Sequence, residues 1–157
     1  MQSPTHILTG IFLYKLIIAL FPTLPTMWLV IITSILAFLS HGLIDAIAVM
    51  TYHPYKANWE DKFFKIYHIV FVYILTGVLV IYFLIPYWWV MIFALLPDLI
   101  DWYTLRPIWH HDPVIHPKID LFRDKFFHWL PDLKEERWAV LVEFFLLLVL
   151  GIGITLL

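Results

Sequence analysis

Two short runs in this sequence set acid and imidazole side chains where they can share a cation. In Leu39-Ser40-His41-Gly42-Leu43-Ile44-Asp45, His41 and Asp45 stand at i and i+4. In Leu95-Leu96-Pro97-Asp98-Leu99-Ile100-Asp101, Asp98 and Asp101 stand at i and i+3. On a helix either spacing brings both side chains to one face. His6 and His68 lie at the beginnings of two other apolar stretches. The chain has no cysteine, so only nitrogen and oxygen donors are available. Imidazole with carboxylate suits Zn²⁺ or a similar first-row ion. Structural roles compete: His68 could bond a neighbouring helix, and His41 with Asp45 could be a plain ion pair. A capping role for Asp98 and Asp101 is poorer, because acids near a helix C-terminus oppose its dipole.

A second concentration of chemistry lies between residues 104 and 136. His110, His111, His116 and His128 occur there with Arg106, Arg123 and several tryptophans. This stretch reads either as a solvated loop with interfacial aromatics or as a lid, with His116 or His128 as a further ligand or an acid–base group.

The elements that carry these residues are apolar. Hydrophobic residues make up 62% of the 157 and charged residues 14%, against about a quarter charged in a soluble domain. Met27 to Met50, Phe63 to Ile85, Tyr87 to Tyr103 and Trp138 to Leu157 are each near the roughly 20 residues that span a bilayer. Ile7 to Phe21 is shorter and contains Lys15, which fits a tilted span or an interfacial helix. The expected fold is an all-α integral membrane protein, a polytopic bundle of about five transmembrane helices in a single domain over 1–157. Phe21 to Thr26 and Ile85-Pro86 are expected to be tight, uncharged turns.

The charges fall in the other two connections, so the positive-inside rule predicts that the N-terminus and both charged loops are cytoplasmic. His6, His41, Asp45, His68, Asp98 and Asp101 then all lie toward that side. An aspartate inside a bilayer costs roughly 2.5–3.5 kcal/mol at mid-helix, so three of them need partners. A divalent metal, one or two zinc ions, is the expected partner. A net charge of −2 gives no basis for nucleic-acid binding. The expected partners are the lipid bilayer and a lipid or phosphoester substrate.

The two runs resemble motifs of the LexA-regulated, membrane-bound metal-dependent hydrolase family. Leu39 to Asp45 is similar to its L-S-H-x-x-x-D helix motif, and Leu95 to Asp101 to its L-L-P-D-x-D motif with one added residue between the acids. Thr5-His6-Ile7-Leu8-Thr9-Gly10 resembles its G-H-x-x-x-G segment, and Tyr67-His68 the end of its H-R-G-x-T-H-S motif. The order of the first two motifs is exchanged here. The resemblance implies His6, His41, Asp45, His68, Asp98 and Asp101 as metal ligands.

These readings converge on a membrane-embedded metal-dependent hydrolase acting on a membrane-associated ester, such as a phospholipid or phosphorylated lipid. Asp101 and His128 are the expected catalytic acid–base groups. The alternatives are an intramembrane metal or proton transporter and a non-enzymatic membrane scaffold.

Overall fold

The computed structural model describes residues 2–54, 56 and 58–157, and among them every regular element is helical. Helix α1 is Ser3–Leu20, and α2 is Thr26–Ile47, which tightens into a 3-10 turn reaching Met50. Helix α3 runs unbroken over Lys62–Leu105, α4 is His116–Phe126 and α5 is Val140–Leu156. Four helices are long and apolar enough to cross a membrane: α1, α2, α3 and α5.

The expected turn at Ile85-Pro86 does not interrupt helicity, so two expected spans form one 44-residue run. A straight helix from Tyr67 to Asp98 would be roughly 46 Å long at about 1.5 Å per residue. Yet both ends meet the start of α1. Tyr67 shares Glu143 with Thr5, while Asp98 and Asp45 share His41, and Asp45 touches His6. Leu79 and Phe83 also join Met91 and Leu95 around Ile7 and Ile11. The axis therefore folds back between its halves. Pro86 stands midway, where it removes one backbone donor and crowds the preceding turn. The polar ends of α1, α2, both halves of α3 and α5 thus meet at one end of the bundle.

Close approach of helices depends on small residues. Gly10 faces Val90 and Ala94 of α3, where an added Cβ would lie 3.0 and 3.1 Å from their side chains. Gly153 faces the Phe12 ring, with 2.7 Å available to an added Cβ. Lys15, anomalous in an apolar helix, donates to the Ile154 carbonyl at 2.7 Å in the last turn of α5. A cation there complements the negative end of the helix dipole.

Candidate metal centre

The candidate ligand positions on α3 and α4 follow from local backbone events. Pro97 breaks the α3 hydrogen-bond ladder, and wide π-type turns follow over Leu99–Leu105, a feature common at functional sites. Asp98 and Asp101 sit on either side of that change. Pro117 starts α4 at its first turn, which sets His116 at the helix entrance. Ile119 rests over Gly42, so α4 lies against α2 directly above His41.

His41, Asp45, Asp98 and His116 each offer one ligand atom, and these atoms all lie within 4.8 Å of one another, so the quartet could hold a metal ion. The histidine tautomers are set from behind. His41 is fully buried and its Nδ1–H donates to the Ala94 carbonyl at 2.7 Å, since a carbonyl can only accept. Its Nε2 is left facing Asp45 Oδ2 at 3.2 Å and Asp98 Oδ1 at 3.7 Å. His116 repeats the pattern. Its Nδ1–H donates to Asp101 Oδ2 at 2.8 Å, and its Nε2 faces Asp98 Oδ1 at 3.2 Å and Asp45 Oδ2 at 3.4 Å. The Trp102 indole nitrogen lies 3.3 Å from the same Nε2. Burial alone would lower the His116 pKa, but hydrogen bonds to Asp45, Asp98 and Asp101 prevail and raise it to about 10. A proton on Nε2 then occupies the place that a cation would take.

The donor set fits a metal on a further observation. Buried polar atoms are almost always hydrogen-bonded, yet His41 Nε2 and both ring nitrogens of His6 close no hydrogen bond. The two Nε2 atoms face Asp45 without closing a hydrogen bond to it, an arrangement that a cation between them would resolve.

The remaining expected residues are placed as follows. His6 stacks on His41, with centroids 3.9 Å apart and planes 14° from parallel, and its Nε2 is 3.2 Å from Asp45 Oδ1. Asp101 stands behind His116 and outside the quartet. Its Oδ1 accepts from the Val114 amide and its Oδ2 from the Ile115 and His116 amides, so it holds the chain entering α4. His68 is not brought to the quartet; its ring stacks on Phe64 and its Nδ1–H donates to the Phe64 carbonyl at 3.0 Å. His128 is exposed in the turn after α4.

One buried acid escaped the sequence reading. Glu143 of α5 is fully buried and accepts from the Gln2 amide, the Thr5 hydroxyl and the Tyr67 hydroxyl at 2.8, 2.8 and 2.9 Å. It ties down Gln2, the residue before α1, and Thr5, the residue before His6. The available signal was a carboxylate at the sixth residue of an otherwise apolar span, Trp138 to Leu157. Among known proteins, no family model matches the chain, and no curated protein or solved structure matches it.

Proposed function

We propose that this chain is a membrane-embedded, metal-dependent hydrolase that acts on a membrane-associated ester, with a divalent cation held by His41, Asp45, Asp98 and His116. The observation that carries this reading is the pair of histidines whose Nδ1–H groups are engaged from behind, leaving both Nε2 atoms facing two carboxylates. Such backing interactions fix ligand orientation and raise ligand basicity. A bound divalent cation supplies a coordinated water of lowered pKa and polarises the ester carbonyl or phosphoryl oxygen.

The chain's own residues suit a lipid-like substrate. Asp98 is the most exposed of the four, at 22%, and marks the open side of the site. Arg106 lies on the Trp102 ring at 5.5 Å, and Trp102 in turn touches His116, so an exposed guanidinium stands ready for an anionic head group. Arg123 is less suited, being paired with Asp120 and Asp124. An apolar groove of about 770 Å³ runs between the first half of α3 and α5, past Tyr67, Phe71, Phe144 and Leu148, and can take an acyl chain. Transport is less well supported. Thr33 and Thr76, two polar groups farther along the helices, donate to carbonyls of their own helices rather than to one another.

The test is zinc content and hydrolysis of head-group-labelled phospholipids by the purified chain, beside His41→Ala and Asp98→Asn. We expect metal and release of the label to fall together. Zinc content unchanged in both variants would sink the site, and a metal-loaded protein inert toward every ester would sink the hydrolase reading alone.

A further inference from the structure

His6 is the residue that the quartet leaves unexplained. It is 1% exposed, and neither ring nitrogen closes a hydrogen bond. Leaving one buried polar atom unsatisfied is costly, and here two belong to one side chain. Its position relative to Asp45 is informative. Asp45 Oδ2 faces Nε2 of His41 at 3.2 Å and Nε2 of His116 at 3.4 Å, whereas Oδ1 faces Nε2 of His6 at 3.2 Å. One carboxylate thus sets one oxygen against His41 and His116 and the other against His6.

The stacking of the two rings sets a distance. His6 and His41 are nearly parallel with centroids 3.9 Å apart, and their Nε2 atoms address the two oxygens of the same carboxylate. Cations on those two nitrogens would be separated by about the ring spacing. Carboxylate-bridged two-metal sites hold their ions roughly 3.5–4 Å apart. A single ion in the quartet would engage Oδ2 and leave both His6 nitrogens as they are.

The geometry points to a second divalent-cation subsite, formed by His6 Nε2 and Asp45 Oδ1, with Asp45 bridging it to the ion of the quartet. This rests on the metal reading above and adds the count. Two ions bridged in this way would hold the attacking and leaving oxygens of an ester displacement.

The experiment is metal stoichiometry on the full chain, saturated with Zn²⁺ in detergent and desalted, with Mn²⁺ loading followed by electron paramagnetic resonance. We expect two zinc ions per chain in the wild type and a spin-coupled manganese signal. His6→Ala and His6→Gln should each retain one ion and lose the coupling, while Asp45→Asn loses the coupling and at least one ion. Helicity by circular dichroism identifies which His6 variant is folded, and that variant decides. One zinc in the wild type, or a folded His6 variant holding any number other than one, overturns the second subsite. Absence of bound zinc from the wild type would instead overturn the metal reading itself.

Discussion

Asp101 holds His116 twice with the same oxygen: Oδ2 accepts the backbone N–H at 2.8 Å and the ring Nδ1–H at 2.8 Å. The carboxylate expected to be a ligand thus fixes both the position and the ring orientation of one. Loss of such a partner typically weakens metal binding by about 10–100-fold. Asp101→Asn should therefore reduce zinc affinity by about that factor while keeping stoichiometry, measured by competition with a chromogenic chelator. Wild-type affinity in the variant would show that this grip does not matter.

Proton release follows from His116. Its pKa is raised to about 10 in the metal-free protein, so at neutral pH the ring is protonated and a cation must displace that proton. Affinity for the quartet should rise about tenfold per pH unit between pH 7 and 9, with one proton released, readable by titration calorimetry in buffers of different ionisation enthalpy. The sign for stability is opposite. A raised pKa stabilises the folded, metal-free chain fully below pH 6.5, and that contribution is lost as pH climbs through about 10. Calorimetric enthalpies that do not vary with buffer would contradict the exchange.

Glu143 gathers donors from two other segments, so its removal leaves several of them buried and unpaired. Each costs about 1–3 kcal/mol. Glu143→Ala should lower thermal stability in detergent far more than Tyr67→Phe, which removes only one of the three donors to Glu143, a hydrogen bond worth about 1 kcal/mol. Equal effects of the two changes would mean that Glu143 does not anchor the start of α1.

Glycine substitutions should divide by location. Gly153→Ala meets the Phe12 ring at 2.7 Å and should cost about 1–3 kcal/mol, partly recovered by combination with Phe12→Leu. Gly77→Ala meets no atom within 4 Å and lies inside a helix, so it should be neutral or stabilising by up to about 1 kcal/mol. Thermal unfolding of the three variants checks both outcomes.

The apolar runs were legible because their length and lack of charge leave few alternatives to long helices. His41, Asp45 and Asp98 were legible too, because helical spacing and the cost of burying charge act locally. The continuity of α3 was not. Pro86 signals a break, but whether the chain leaves the helix or bends within it depends on packing of Leu79, Phe83, Met91 and Leu95 around α1. Asp98 and Asp101 share a face by spacing alone; the π-type turns between them separate their tasks. His116 was visible only as an alternative to His128, since its selection depends on Asp101 and on Ile119 seating over Gly42. His68 has the right residue type at a helix start, but its ring bonds back to its own helix.

Three members of the quartet belong to the long apolar bundle, while His116 alone arrives on the short polar helix α4. None of the α4 residues is buried, so little apolar burial secures that helix. A cation shared by the quartet would fasten a surface segment to the bundle, and by reciprocity whatever pries α4 away loosens the cation. Loading and docking are then two readings of one equilibrium, and the mobility of α4 becomes a gauge of metal occupancy.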